Sequence, residues 1–300
     1  MSYTALDYDF MNSQAEVHKS KSEYVEAHNI HQESLATHNL HQQGFALINI
    51  SEIEVPMGVS KDQIQEKIDA SQAIGKAMKN AMFIIACDTI QADLNLREGN
   101  MSSSLFCKCL QLAWGNFSEA VSYCLERLGN YSCWEGSHHP SSWTTVFLTH
   151  SLKAKERLGI HKALQFLGDV FLKENDEVTA VSLFTLALEG FTQMDIHRSR
   201  AECMIRLGDI SNKNGDLLKA LELWETARPL FERSSQVKRV QDIDERLGGI
   251  TEEVKQQHRI NLAQLAELNA PVGKVEEVED DSSEDELERE RENIGSVEVA

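Results

Sequence analysis

Apolar residues recur at intervals of three and four along most of the chain, a spacing that predicts amphipathic helices. Between residues 161 and 233 the pattern is written twice, first as HKALQFLGDVFLKENDEVTAVSLFTLALEGF and then as AECMIRLGDISNKNGDLLKALELWETARPLF. Leu167-Gly168-Asp169 returns 40 residues later as Leu207-Gly208-Asp209. Self-similarity at a fixed period of this length is typical of solenoids, in which helical units stack on their neighbours.

Each unit is predicted to consist of a helix A, a short turn and a helix B. The turns contain Asn175-Asp176 and Asn214-Gly215-Asp216, residue types that suit tight turns and can cap the next helix. Gly168 and Gly208 fall inside helix A, where Gly costs about 1 kcal/mol relative to Ala, so we expect helix B to approach closely there. The repeated small and aromatic positions of helix B are Ala180 and Ala220, which we expect opposite these glycines, Phe184 and Trp224, and Ala187 and Ala227.

The period can be followed in both directions from the central pair. Small residues at positions 51, 92, 129, 168, 208 and 248 mark about six units over residues 39–268. We expect a helix at 142–158 as the partner of the unit at 129, and a kinked, coiled-coil-like capping helix pair around Gly248-Gly249. Residues 9–38 are helical in composition but poor in apolar side chains, so we predict a partly ordered N-terminal helix within residues 1–38. The fold class is therefore all-α, with 11–13 antiparallel helices and essentially no strand.

The large-Leu-Gly sequence of helix A and the Ala-x3-aromatic-x2-Ala sequence of helix B resemble the tetratricopeptide repeat. The period of 40 exceeds the usual 34, and Ser211 stands where helix A usually has an aromatic residue. The sequence of these repeats is also similar to a family of uncharacterised fungal repeat proteins, in which such arrays often follow a nucleotide-binding signalling core. The resemblance implies a right-handed superhelical solenoid of antiparallel helix pairs, whose concave face, lined by helix A, binds other proteins.

Composition narrows the classes of function. The formal net charge of −19 on 300 residues argues against nucleic acid as a partner, because binding it requires cations that neutralise phosphates. The longest apolar run, 81–87, is far shorter than the roughly 20 residues that span a bilayer. The first residues have no basic region followed by an apolar core, and the six cysteines have no disulfide spacing. We therefore expect reduced thiols and a cytoplasmic location, with the nucleus left open.

No motif for catalysis is visible. The chain lacks a phosphate-binding loop and the HExxH, GxSxG and GxGxxG patterns, so we expect no enzyme and no cofactor. His28, His31 and His38 share one helical face, but a metal site needs three or four converging ligands. A solvated polar face is the preferred interpretation, and metal binding stays open as a minor alternative.

The resemblance places helix-A residues near the repeated glycines on the concave groove. Because Arg can grip carboxylates through two hydrogen bonds, an acidic peptide is the preferred ligand. A competing interpretation is that Arg206 and Asp209, three residues apart on a helix, merely pair with each other. The predicted partner-binding residues are Arg127, Lys162, Asp169, Lys173, Arg206, Asp209, Lys213 and Arg246.

Two functions fit these features. The first is a non-catalytic interaction scaffold that holds an extended or helical segment of another protein on its concave face. The second is a regulatory or sensing arm of a signalling ATPase that binds its own effector domain. The repeats alone are compatible with both.

The end of the chain changes in composition. Residues 274–300 hold 12 acidic and 3 basic residues, a net charge of 3 − 12 = −9, which predicts that 269–300 is an acidic disordered tail. Ser282 and Ser283 each have an acidic residue three positions on, which resembles the sites of acidophilic kinases of the casein kinase 2 type. We hypothesise that this tail competes weakly with ligands for the Arg-lined groove, that phosphorylation strengthens the competition and that salt relieves it.

Overall fold

The computed structural model describes residues 5–36, 39–100, 103–134 and 140–268, and these residues form fourteen α-helices and no strand. The all-α prediction is confirmed, and the helices outnumber the expected 11–13, with two of them in the N-terminal segment. The helices are α1 (Ala5–Lys21), α2 (Tyr24–Ser34), α3 (Leu40–Met57), α4 (Lys61–Ala77), α5 (Ala81–Arg97), α6 (Ser103–Ala113), α7 (Ser118–Trp134), α8 (Pro140–Ala154), α9 (Arg157–Lys173), α10 (Glu177–Gln193), α11 (His197–Lys213), α12 (Leu217–Arg233), α13 (Val237–Gly248) and α14 (Glu252–Leu268).

The chain divides into two compact units, residues 1–258 and 259–300. Within the first unit, each helix packs mainly on the helices next to it in sequence. In the second unit the description reaches only the end of α14, so the predicted acidic tail, with Ser282 and Ser283, lies outside the described residues, as does His38. None of the described helices is both long enough and apolar enough to cross a membrane.

The predicted units correspond to alternate helices. Positions 51, 92, 129, 168, 208 and 248 fall in α3, α5, α7, α9, α11 and α13, which are therefore the A helices. The turns that end α9 and α11 contain residues in the left-handed region, Asn175 with φ 63° and Gly215 with φ 84°. Asp176 and Asp216 cap the following B helices, each accepting a backbone N–H at 3.1 Å, so the predicted turns are confirmed.

The glycines inside helix A are required by close contact with helix B. A Cβ added to Gly168 would lie 2.7 Å from the ring of Phe184, and one added to Gly208 would lie 2.6 Å from Nε1 of Trp224. The expected close approach is confirmed, and the atoms nearest to each glycine belong to the aromatic residue of helix B. Aromatic rings cover these glycines because they fill the space that the absent Cβ leaves.

Two predicted boundaries have different outcomes. The single helix expected over 142–158 is wrong, because α8 ends at Ala154 and Lys155 turns the chain with φ 57° before α9 begins. The backbone N–H of Glu156 donates to the carbonyl of Ser151 at 2.9 Å, which completes this turn. The break expected near Gly248-Gly249 is confirmed, since α13 ends at Gly248 and α14 begins at Glu252.

Buried apolar side chains fill the spaces between neighbouring helices. Phe83, Phe147, Phe184 and Phe231 are each 0–1% exposed and lie in four successive clusters along the helical array. The described cysteines Cys87, Cys107, Cys109, Cys124 and Cys203 are free thiols. The core is thus distributed along the array, as expected for stacked units.

The first helices also meet the later ones, a contact that the repeat pattern does not predict. Lys21, at the end of α1, pairs with Asp195 in the turn before α11 at 3.1 Å. Gln236, in the turn before α13, donates to the carbonyl oxygen of Pro56 near the end of α3 at 3.5 Å. The stacked units within residues 1–258 therefore close on themselves.

Candidate functional site

Charged residues of successive A helices meet in a series of ion pairs, which we call the A-helix ladder. Each pair joins residues 34–37 positions apart, so each links one unit to the next. The pairs are Asp93–Arg127 at 3.0 Å, Glu126–Lys162 at 2.7 Å, Asp169–Arg206 at 2.8 Å and Asp209–Arg246 at 2.9 Å.

Six of the eight predicted partner-binding residues belong to this ladder. The other two are Lys213, which pairs with Glu177 of α10, and Lys173, which is exposed at the end of α9 and acts electrostatically on Asp169. Arg206 and Asp209 each form a ladder pair with a different neighbouring A helix. The structure thus brings the predicted residues together, but most of them form ion pairs with one another or with other side chains of the protein.

The repeat register explains the ladder. Asp93, Asp169 and Asp209 each follow the small position of their unit by one residue. Their partners Arg127, Arg206 and Arg246 each precede the small position of a later A helix by two residues. Residues three apart on a helix lie on one face, so the acid of one unit and the base of the next face each other. Sequence reasoning missed Asp93, although this register rule identifies it.

The ladder is buried at one end and more exposed at the other. The Asp93 and Asp169 side chains are 10% and 11% exposed, whereas that of Asp209 is 39% exposed. Burial raises the pKa of Asp93 above its usual value, although Arg127 and a hydrogen bond from the Tyr123 hydroxyl act against that rise. Burial likewise raises the pKa of Asp169, with Arg206 opposing it. Because Asp209 is the most exposed of the four acids, ligand access is easiest at the Asp209–Arg246 pair.

A cavity of about 310 Å³ lies at this exposed pair. Arg246 donates to both carboxylate oxygens of Asp209, from Nε at 2.9 Å and from a terminal nitrogen at 3.1 Å. Trp224 Nε1 donates to the same carboxylate at 3.2 Å. The cavity lining also includes Asn212, Glu245, Gly249 and Ile250. The arrangement is a planar carboxylate held by three N–H donors next to open space.

A second cavity, of about 330 Å³, lies between α7, α8 and the start of α9. The Ser122 hydroxyl donates to Glu156 at 2.9 Å and lies 3.1 Å from His150 Nε2. Phe147 supplies an apolar wall. Because the serine proton is already held by a carboxylate, we interpret this group as a hydrogen-bond relay that joins three helices.

The N-terminal histidines have separate environments. His28 Nε2 lies 3.1 Å from a Glu54 carboxylate oxygen. His31 is 1% exposed, and burial lowers its pKa to about 4. No group of three metal-ligating side chains was found among the residues that the structure describes.

Charges from several helices also converge inside the first unit. Burial acts to raise the pKa of Glu126, but Lys162 and Arg127 outweigh it and lower that pKa. Arg198 of α11 acts electrostatically on Glu126 as well, and also on Tyr24 of α2. Side chains of α2, α7, α9 and α11 therefore face a common interior.

No protein-family model matches this chain, and no curated protein matches its sequence.

Proposed function

We propose that the protein is a cytoplasmic, non-catalytic scaffold of the tetratricopeptide type, with its antiparallel helix pairs wound in a right-handed superhelix. The support for this architecture is the repetition of one contact. In successive units the glycine of helix A packs under the aromatic residue of helix B, as Gly168 does under Phe184 and Gly208 under Trp224. Repeated packing of this kind gives successive units similar geometry, and such arrays present extended surfaces to partner proteins.

The observation that carries the function is the half-exposed Asp209–Arg246 pair at the edge of a cavity. The Arg246 and Asp209 side chains are 31% and 39% exposed, so an incoming carboxylate can reach Arg246 and compete with Asp209 for it. Arg is suited to this exchange because its planar group binds carboxylates through two hydrogen bonds. The partner is therefore a protein segment rich in Asp and Glu, bound at the α11–α13 end of the ladder.

The buried ladder pairs have a different role in this proposal. Arg206 is 14% exposed and its partner Asp169 is 11% exposed, so reversing the charge of Arg206 would place two carboxylates together inside the protein. Such a change would disturb the fold and confuse a binding experiment. Arg246, which is 31% exposed, is the residue to change.

The test measures fluorescence anisotropy of a labelled peptide rich in Asp and Glu, added to the full chain. We expect salt-sensitive binding that weakens roughly tenfold, or by 1.4 kcal/mol, in an Arg246→Glu variant. Lys219→Glu is the matched control, because it makes the same charge change at an exposed position of the B helix α12. Equal affinities for the two variants would place the binding surface elsewhere.

A further inference from the structure

The turn between α1 and α2, together with a carbonyl near the end of α3, docks on the later repeats through polar contacts, which we call the closing contacts. They lie at the start of α11, at the end of α12 and in the turns before α11 and α13, 174 to 210 residues further along the chain. They are Lys21–Asp195 at 3.1 Å, Glu23–His197 at 3.2 Å, Glu23–Arg233 at 3.0 Å, and Gln236 to the Pro56 carbonyl at 3.5 Å. Arg198 also acts electrostatically on Tyr24.

Glu23 is the centre of these contacts. One carboxylate oxygen faces both His197 and Arg233, and the other lies 2.8 Å from His18 Nδ1. His197 is 0% exposed, so the docked turn helps to bury it. Ser22 positions the carboxylate, because its backbone adopts φ 66° and brings the chain sharply from α1 into α2.

Tyr24 is docked beside Glu23 and is 9% exposed. Arg198 of α11 acts electrostatically on its hydroxyl group. The receiving surface therefore presents His197, Arg198 and Arg233 to one carboxylate and one adjacent phenol. This surface is distinct from the Asp209–Arg246 cavity.

In the part of the chain that the structure describes, apolar packing does not reinforce this closure. Among the described residues, no hydrophobic cluster joins α1–α3 to α10–α13. Tyr24 instead packs with Ala27, Ile53 and Met57, which belong to α2 and α3. The outer members of these pairs, Lys21, Asp195 and Arg233, are 34%, 48% and 57% exposed, and salt screens ion pairs at such positions. The closure can therefore be weakened from its exposed side while the cores of the individual units stay intact.

We propose that His197, Arg198 and Arg233 form a docking surface for a protein segment that carries an acidic residue next to a tyrosine. In the free protein the chain's own Glu23-Tyr24 occupies this surface. A partner segment with the same pair of adjacent residues, an acid followed by a tyrosine, displaces the α1–α2 turn and opens the closed array. Tethering holds the internal segment at millimolar effective concentration, so the surface is protected until the closing contacts are weakened.

The first experiment follows opening by small-angle X-ray scattering of the full chain. Glu23→Lys places a cation against His18, His197 and Arg233, so we expect a larger radius of gyration and maximum dimension than in the unaltered chain. Glu26→Lys is the matched control, since it makes the same charge change at an exposed position of α2, and it should leave both values unchanged. The unaltered chain should expand when salt is raised.

A second pair of variants gives the same test without changing Glu23. Lys21→Glu should expand the chain because it faces Asp195, and Lys21→Glu combined with Asp195→Lys should restore the compact form. Circular dichroism confirms that each variant keeps its helices. Equal dimensions for the unaltered chain, Glu23→Lys and Lys21→Glu would show that these contacts do not hold the array closed.

The second experiment tests the docking surface with a labelled peptide that copies residues 18–29, HKSKSEYVEAHN. We expect it to bind the Glu23→Lys chain at least tenfold more tightly than the unaltered chain, whose own segment occupies the surface. A peptide in which the residues corresponding to Glu23 and Tyr24 are replaced by Gln and Leu should not bind. Equal binding of the two peptides, or of one peptide to the two proteins, would overturn the docking proposal without bearing on the Arg246 cavity.

Discussion

The guanidinium of Arg206 donates to the carboxylate of Asp169 at 2.8 Å, between two A helices whose paired residues are 37 positions apart. The same register joins Asp209 to Arg246 one unit later, but there the side chains are 39% and 31% exposed, against 11% and 14% for the first pair. Because the two pairs differ in burial, losing one partner should have a different effect on stability in each. A buried pair is costly to break from one side, whereas a partly exposed pair can be reached by a competing carboxylate from solvent.

Breaking the buried pair from one side should therefore destabilise the protein strongly. Arg206→Gln leaves the Asp169 carboxylate without its guanidinium, and we expect a loss of about 3–5 kcal/mol in the free energy of unfolding. Lys213→Gln is the matched control, because Lys213 is 65% exposed and also pairs with the preceding unit through Glu177. Urea denaturation followed by circular dichroism measures both.

A double variant shows whether the loss comes from the pair itself. Asp169→Asn combined with Arg206→Gln removes both charges, and it should recover part of the stability lost in Arg206→Gln alone. A single Arg206→Gln change as mild as Lys213→Gln would contradict the importance of burial for this pair.

The contact between Gly208 and Trp224 gives a second prediction. A larger side chain at 208 must displace the indole ring, since a Cβ there would lie 2.6 Å from Trp224 Nε1. We expect Gly208→Leu to cost about 1–3 kcal/mol through overpacking. Gly248→Ala is the control, because a Cβ at Gly248 meets nothing within 4 Å. Thermal denaturation should separate the two variants, and equal melting temperatures would refute the helix contact.

The features that could be predicted from the sequence are those that repeat. Gly168 and Gly208 indicated a close helix contact, because Gly inside a helix lowers stability and a repeated loss of this kind is explained by packing. Asp176 and Asp216 indicated helix caps, because Asp is a favoured residue at the N-terminal end of a helix. The ladder partners follow from the same register. Asp93 was missed because its unit lacks the glycine that marks the later ones, with Ala92 in the small position.

The closing contacts could not be predicted in this way. Glu23 and His197 are 174 residues apart and occupy no equivalent positions in the repeat. Their meeting depends on small rotations between successive helices that accumulate along the array. The turn at Lys155 was missed for a local reason, because neither Gly nor Pro marks it and a Lys adopts the left-handed conformation there.

The third prediction concerns His31 and the dependence of stability on pH. Burial, reinforced by the charge of Lys19, lowers the His31 pKa from 6.5 to about 4, with Glu52 opposing and His28 supporting the shift. The folded protein thus keeps His31 neutral at pH values where the unfolded chain protonates it. The unfolded state binds more protons between these values, so stability is fully present above pH 6.5 and falls as the pH drops toward 4.

His31→Leu should remove this dependence while keeping an apolar side chain in a site that is 1% exposed. At about 1.4 kcal/mol for each tenfold change in proton affinity, the interval from 6.5 to about 4 corresponds to a loss of about 3 kcal/mol in the unaltered chain. Urea denaturation at several pH values should show a shallower loss for His31→Leu. The matched control, Gln32→Leu, changes an exposed neighbour on α2 and should keep the original slope. Identical slopes for the two variants would mean that His31 is not the group that titrates.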